Sequence, residues 1–390
     1  MTVKRLFVLL MATAFAAACM SASYESLRRY EIERDMPLCL DSIKSELTYP
    51  LAWGNSEISD FNIWRQTARD KVIELMLAPP PRANDYDVIV IGEEKRDGYT
   101  ARKIEFNISR YSRITAYLLV PDGVGPFPGI IALHDHGGHY TIGKEKMIRP
   151  FDVAPEVLED CDTWVENLYE GSYVGDFLAR NGYVVLSIDA LFWGDRGRKE
   201  GPDGNYFANV AGNFMMLGRN MSAWMTFEDM YATEFLSSLP YVDSLRIGCV
   251  GLSMGAYRSW MLAALSPLIK ASVAVCWMTT TDVQLSWEYG LETGGFANNL
   301  IGVRNYLDYP HIASLACPNH MYFINGETDV LFKAHSVRDA YDTMHKVWDS
   351  QGVGDRLKTE LLPMGHAMPL SVQEKSLKFL DEVLKDIGPL

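Results

Sequence analysis

The sequence predicts an α/β fold: a doubly wound, mostly parallel sheet with antiparallel strands at its N-terminal edge and a helical extension ahead of them. Three observations predict it. From residue 128 onward, apolar strand-like runs at 128–134, 182–189, 246–251, 271–277, 319–325 and 358–362 alternate with helical stretches, which demands parallel strands joined by crossovers. Upstream, Tyr86 to Ile91, Thr100 to Ile108 and Arg113 to Val120 are joined by connections too short for a crossover, so they pair antiparallel at a sheet edge. Third, Arg246 to Leu265, RIGCVGLSMGAYRSWMLAAL, reads as a buried strand, a sharp turn carrying a lone serine, and an apolar helix. With 390 residues, 48% of them apolar, there is chain for one large α/β domain plus an appended segment.

Taken in order, the chain opens with Lys4 and Arg5 followed by the apolar run Leu6 to Ala18, too short to span a bilayer comfortably and patterned as a secretory signal over residues 1–18. Export to the bacterial periplasm is the expectation. The small residues before Cys19 resemble a lipobox, which makes Cys19 a candidate lipid anchor to the outer membrane and the chain's one route to a membrane. Residues 24–79 read as a helical extension: Tyr24 to Leu47 mixes charged and apolar residues at helical spacing, and Asp60 to Met76 is an amphipathic helix with an aspartate cap. Pro79, Pro80 and Pro81 stop it. The catalytic domain then runs over residues 80–390. Of the remaining cysteines, Cys249 and Cys276 read as buried apolar residues, and one disulfide among Cys39, Cys161 and Cys317 is compatible with an oxidising compartment.

The serine turn carries the chemistry. Gly251 and Gly255 flank Ser253 where side chains would collide as strand becomes helix, and Ser253 is held in a strained conformation that lifts its hydroxyl out of the sheet. A serine hydroxyl needs a base and an orienting acid. After a serine in this setting the acid follows at the end of a later strand and the histidine comes last. Asn319 to Asn325 runs into Gly326-Glu327-Thr328-Asp329, making Asp329 the acid and Glu327 the fallback. The strand from Lys358 to Leu362 runs into Pro363-Met364-Gly365-His366, making His366 the base. An oxyanion hole requires two backbone N–H groups. One is the amide of Met254, directly after the nucleophile; the other is assigned to His136, with Gly137 as the near alternative, in the glycine-bearing loop after 128–134.

That loop also supports a rival, because His134, His136 and His139 are spaced H-x-H-x-x-H, as imidazoles for zinc in a metallo-hydrolase are. Gly138 stands where a metallo-β-lactamase pattern has aspartate, and the serine turn would be left without a purpose; the reading adopted uses no metal and no cofactor. A net charge of −14 argues against nucleic acid as a partner. Three segments exceed what connections need, Tyr140 to Tyr169, Phe192 to Trp224 and Met278 to Pro310, and all leave strand ends where substrate binds in such sheets. Trp164, Tyr169, Trp193, Tyr206, Phe207, Trp287, Tyr289 and Tyr306 lie in them. Trp193, Trp277 and Trp287 are candidate platforms for sugar rings, and Arg196 is a candidate clamp for a uronate carboxylate, with Arg198 beside it. The plainer expectation for most of these aromatics is a set of small loop cores, and for the arginines, salt bridges.

Over residues 80–386 the chain resembles the dienelactone-hydrolase and acetyl xylan esterase branch of the α/β-hydrolases. The likeness is carried by ALHDHGG (Ala132 to Gly138), SIDALFWGDRG (Ser187 to Gly197), SLPYVDSLRIGCVGLSMG (Ser238 to Gly255), HIASLACP (His311 to Pro318), NGETDVLF (Asn325 to Phe332) and GHAM (Gly365 to Met368). It implies the α/β-hydrolase fold, the triad Ser253, Asp329 and His366, and esterase action on small acyl groups or sugar esters. The expected partner is therefore a carbohydrate ester: acetyl groups of xylan or a similar chain first, methyl esters of uronic acid residues in pectin second. A serine peptidase and an inactive binding module are more distant alternatives. Two departures stand out. His134-Asp135 replaces the family's histidine-glycine, setting a carboxylate beside the oxyanion hole, and Ala256 follows the turn where glycine is frequent. For the N-terminus, a palmitate analogue fed to expressing cells is expected to label the wild type and not Cys19→Ala; equal absence of label marks simple cleavage.

Overall fold

Strand signals that alternate faces by residue number become, in the folded chain, two cores on the two faces of one sheet. A computed structural model describes residues 29–33, 36–287 and 295–385, and the chain divides into two units, 1–47 and 48–390. The first unit contains a two-residue antiparallel ladder, Ile32–Glu33 with Met36–Pro37, and the short helix Leu40–Ser45. The helix expected from Tyr24 to Leu47 is thus reduced to six residues among those described. Pro37, with no N–H to donate and a ring that clashes with the preceding turn, keeps a helix from running through this segment.

The second unit begins with α1 (Phe61–Leu75), whose first turn is capped by the Asp60 carboxylate accepting from Ile63 N–H at 2.9 Å. Trp64, Ala68 and Val72, four residues apart on one face, are buried in the larger core. Arg69 donates to the Ala264 carbonyl at 2.7 Å and the Leu315 carbonyl at 3.0 Å. This helix is therefore part of the second unit's core, and the single extension over 24–79 is divided.

Nine strands follow: β1 (Ile89–Arg96), β2 (Tyr99–Ser109), β3 (Ser112–Pro121), β4 (Phe127–Leu133), β5 (Val184–Ile188), β6 (Val242–Leu252), β7 (Ile269–Val275), β8 (His320–Gly326) and β9 (Leu357–Leu362). Their order across the sheet is β9-β8-β7-β6-β4-β5-β3-β2-β1. The first three are antiparallel, and β3 meets β5 antiparallel; every pair from β5 to β9 is parallel. Every expected strand has its counterpart. The largest shift is β1, which runs on through Gly-Glu-Glu-Lys-Arg past an irregularity at Val90/Gly92; this second half, polar and at the exposed sheet edge, carries no apolar pattern to read.

The central strands are buried on both faces, which is why they read as continuous apolar runs. In β4, Ile131 and Leu133 enter one core and Ile130 and Ala132 the other; in β6, Ile247 and Cys249 oppose Val250 and Leu252. The first core is covered by α1, α5 (Met221–Ser238), α6 (Met254–Leu265) and α7 (Ala334–Ser350). The second is covered by α2 (Pro155–Tyr169), α3 (Val174–Arg180) and α8 (Leu370–Leu384). A third cluster, with Phe192, Trp193, Phe207 and Met254, forms a small core of the long loops and α4 (Asn205–Met216), as the plainer reading of their aromatics expected.

All twelve residues of α6 are buried, Arg258 among them. Its guanidinium donates to both Asp229 oxygens, at 2.9 and 2.6 Å, with both side chains 1% exposed. A lone buried carboxylate is far costlier than a paired one. Arg258→Leu is expected to lower unfolding stability by about 3–5 kcal/mol, read by chemical denaturation, and the double change Arg258→Leu/Asp229→Leu to recover most of it.

Candidate active site

Strand β6 ends at Leu252 and α6 begins at Met254, so Ser253 alone makes the turn. It does so at φ 56° and ψ −123°, a conformation that costs a residue with a side chain about 1–3 kcal/mol. Close contacts enforce it. A Cβ on Gly251 would lie 2.3 Å from the Gly255 carbonyl carbon, and one on Gly255 would lie 1.9 Å from the Leu133 carbonyl oxygen. Ser253 N–H donates to the Val275 carbonyl at 2.8 Å, tying the turn to β7.

At the other side of the site, two loops are laced together. A Cβ on Gly326 would lie 2.3 Å from the Met364 carbonyl oxygen, and Glu327 and Thr328 donate to the Leu362 and Met364 carbonyls at 2.8 and 3.1 Å. This brings the residues after β8 against those after β9. His366 Nδ1–H donates to Asp329 Oδ2 at 2.7 Å, and Leu331 N–H donates to the other oxygen at 2.8 Å. The Asp329 carboxylate is fully buried, and His366 keeps 20% exposure. Glu327, the fallback acid, is exposed and faces Arg338 at 3.5 Å, so Asp329 is the carboxylate that meets the imidazole. Ser253 and His366 line one cavity of about 310 Å³ with Asp135, His136, Gly137, Gly138, Leu168, Trp277, Asn298, Leu331 and Phe332.

The loop after β4 forms a wall of this cavity. Gly137 adopts φ +60°, and a Cβ there would lie 2.2 Å from the Trp164 ring, so only glycine fits. Asp135, the departure from the family pattern, is buried: one oxygen accepts from Tyr169 Oη–H at 2.7 Å and Trp164 Nε1–H at 3.2 Å, the other from Lys146 at 3.3 Å. The carboxylate is thus consumed inside the protein. Lys146 is itself fully buried, and burial pulls its ammonium below the ordinary lysine range.

The histidines of the H-x-H-x-x-H segment turn to separate partners. His134 bonds the Asp135 carbonyl through Nδ1 and accepts from Ala190 N–H through Nε2. His136 Nδ1 accepts from Gly138 N–H at 3.0 Å, while His139 Nε2 sits 2.8 Å from Asp160. Among the described residues, no three-ligand cluster contains any of them.

Of the proposed substrate contacts, Trp277 lines the cavity. Trp193 does not: it is wholly buried and donates through Nε1 to the His136 carbonyl at 3.2 Å, supporting the loop from behind. Arg196 is spent on a buried bidentate pair with Glu228, at 2.6 and 2.8 Å, so it is no carboxylate clamp. Arg198 lies over the Tyr206 ring at 4.0 Å. Trp287, partly buried, is not among the cavity's described lining residues and adjoins residues 288–294, which with Tyr289 lie outside the description. Cys19 and residues 1–18 lie outside it as well. The five described cysteines are all free thiols, so no disulfide joins Cys39, Cys161 and Cys317.

Sequence reasoning missed three contributors. Cys276 Sγ lies within 4.8 Å of the Asp329 and His366 ligand atoms, and burial beside Asp329 pushes its thiol up to about 12. Asn298 lines the cavity, and its buried Oδ1 has no hydrogen-bond partner among the described residues. Lys146 braces the loop. None sits in a motif; only the backbone path brings them in.

A family model described as the Abhydrolase family matches residues 37–347. The chain belongs to this family. YtaP of Bacillus subtilis, a protein named as a hydrolase, is 25% identical over 318 residues, which span 81% of this chain and 99% of that protein. A Bacteroides fragilis protein described as an acetyl xylan esterase superposes with TM-score 0.60 at 19% identity, covering 77% of this chain and 75% of its own. A glucuronoyl esterase from Solibacter usitatus does so with TM-score 0.61 at 16% identity, covering 86% and 97%. These likenesses, with the sheet order above, make the fold that of an α/β-hydrolase.

Burial, and then the nearby Lys146 charge, lower His136 to about 4. A histidine neutral in the folded state and free to protonate near 6.5 when unfolded draws the equilibrium toward unfolding between those values. The unfolding midpoint is expected to fall as pH drops from about 6.5 to about 4, and His136→Gln to flatten that slope, as measured by thermal melts across pH.

Proposed function

We propose that the protein is an exported serine carboxylic-ester hydrolase acting on ester decorations of plant cell-wall polysaccharide, with acetyl groups as the preferred leaving acyl. The observation that carries this reading is the convergence on one cavity of a strained serine at a strand-to-helix turn and a histidine whose Nδ1–H is held by a buried aspartate at 2.7 Å. Ser253 Oγ attacks the ester carbonyl as His366 Nε2 takes its proton. Asp329 holds the imidazole tautomer and balances the imidazolium. The N–H groups of Met254 and His136 receive the charge that develops on the carbonyl oxygen. Collapse expels the sugar alcohol, protonated by His366, and water activated by the same ring then releases the acyl group from Ser253.

The choice of ester rests on charge. No lysine or arginine is among the described lining residues of the cavity, and Arg196 is committed to Glu228. A uronate methyl ester is itself neutral, but the free carboxylates of unesterified neighbouring uronates would find no lysine or arginine among those residues, whereas an acetyl group is accommodated beside Leu168, Trp277 and Phe332. Structural neighbours described as acetyl xylan esterases support the same choice, and those described as glucuronoyl esterases or a methylesterase keep the second in view.

Acetate released from acetylated xylan and methanol released from methylated pectin, measured side by side, test the reading. Acetate without methanol is expected, with kcat lowered about 10⁶-fold by Ser253→Ala and about 10⁴-fold by Asp329→Asn. A strong chelator is expected to leave the rate unchanged. Methanol alone would move the substrate to uronate methyl esters, and activity that survives Ser253→Ala but not chelation would sink the serine mechanism.

A further inference from the structure

We infer that Lys146 is a positioning residue for the oxyanion hole, orienting its amides by holding the two carbonyls behind them; the inference rests on the serine-hydrolase reading above. Lys146 Nζ donates to the Asp135 carbonyl at 3.1 Å and to the His136 carbonyl at 3.1 Å, and reaches the Asp135 carboxylate at 3.3 Å. In a trans peptide the C=O of one residue and the N–H of the next point in opposite directions. Drawing the Asp135 oxygen toward Lys146 therefore turns the His136 N–H away from it, and drawing the His136 oxygen does the same to the Gly137 N–H. His136 and Gly137 line the cavity that contains Ser253, and neither of their N–H groups has an acceptor among the described residues. Both candidate donors are thus free and aimed from the same anchor.

The anchor is itself fixed. Each of the two carbonyls has a second contact, Asp135 O with His134 Nδ1 at 2.9 Å and His136 O with Trp193 Nε1 at 3.2 Å. The turn carrying Lys146, Lys144–Lys146, is pinned by buried Lys144, which reaches Asp189 and Asp195 at 2.8 Å each and Glu145 at 2.7 Å. A cation on a peptide carbonyl also polarises that peptide, making its N–H a stronger donor toward developing negative charge. Asp135 then has a role its position alone did not disclose: it balances the buried ammonium, and glycine in its place would leave that charge unpaired.

Lys146→Met alone strands the Asp135 carboxylate, so the informative variant is Lys146→Met/Asp135→Asn, which removes both charges and keeps a carboxamide oxygen for Tyr169 and Trp164. Two readouts are taken: the rate at which a fluorophosphonate labels Ser253, and kcat and KM on 4-nitrophenyl acetate. Labelling of the wild type, lost in Ser253→Ala, tests the serine reading by itself; a wild type that takes no label overturns that reading, and this one with it. Given wild-type labelling, the folded double variant is expected to label about 100-fold more slowly and to lose kcat by a similar factor with KM within about threefold, the signature of a lost oxyanion donor. Labelling and kcat within threefold of wild type would show that Lys146 only neutralises Asp135, and would overturn the inference. Should circular dichroism show the double variant unfolded, Lys146→Gln/Asp135→Asn carries the test, since it also removes both charges and its shorter carboxamide side chain falls short of the two carbonyls. A severalfold loss of kcat at unchanged KM is expected there, and an unchanged kcat overturns the inference.

Discussion

The contact on which the rest of the site depends is the approach of the Gly255 backbone to the carbonyl end of β4. With a Cβ position only 1.9 Å from the Leu133 oxygen, α6 can leave β6 at this angle only if residue 255 has no side chain. That approach seats α6 at the centre of the unit, where all its residues are buried. It forces Ser253 to make the turn alone, at positive φ. It also sets Ser253 beside the loop that leaves β4, so the proposed nucleophile and the proposed oxyanion amides are brought together by one steric fact. The position at which the strand order changes direction, with β4 between β5 and β6, opens the space that the loops then wall.

Around that point the protein buries charge. Lys144 with Asp189, Lys146 with Asp135, Arg196 with Glu228 and Arg258 with Asp229 all lie at or behind the carboxyl ends of the central strands. Such pairs gain little over apolar packing, because desolvation offsets most of their attraction. Their geometric demand is strict, since a shifted partner leaves a bare charge. The loop carrying His136 and Gly137, which line the cavity, is held by such a partner in Lys146. The same economy explains why the loop arginine that looked free for a substrate carboxylate is occupied, and why the cavity wall is left apolar with few polar groups.

Much of this was legible in the chain. The parallel strands announced themselves because burial on both faces demands unbroken apolar runs, and the serine turn because glycine is required on both sides of it. Asp329 and His366 were legible from order and from strand ends, although their meeting depends on Gly326 lying against Met364. For Trp193 and Arg196 the plainer expectation, a loop core and a salt bridge, is what the structure shows, and the substrate contacts offered beside it are not, because residue type suggests what a side chain can bind and says nothing about which way it points. Cys276 was legible as a buried apolar residue and not as a neighbour of Asp329 and His366, while Asn298 and Lys146 carry no pattern at all. The edge strand was read too early and too short because its second half, Gly92 to Arg96, is polar and exposed and leaves no periodicity.

By itself, then, the sequence determined the class of sheet, the turn with its serine, and the candidate acid and base, since each follows from local sterics or from burial written into consecutive residues. Tertiary structure decided the rest. It chose Asp329 over Glu327 by burying one and exposing the other, turned the Asp135 carboxylate inward onto Lys146, sent three closely spaced histidines to three different partners, and left no lysine or arginine among the described lining residues of the cavity. These are matters of direction and of partners distant in the chain, and the energy of a buried charge or amide depends on what lies within a few ångströms of it in space.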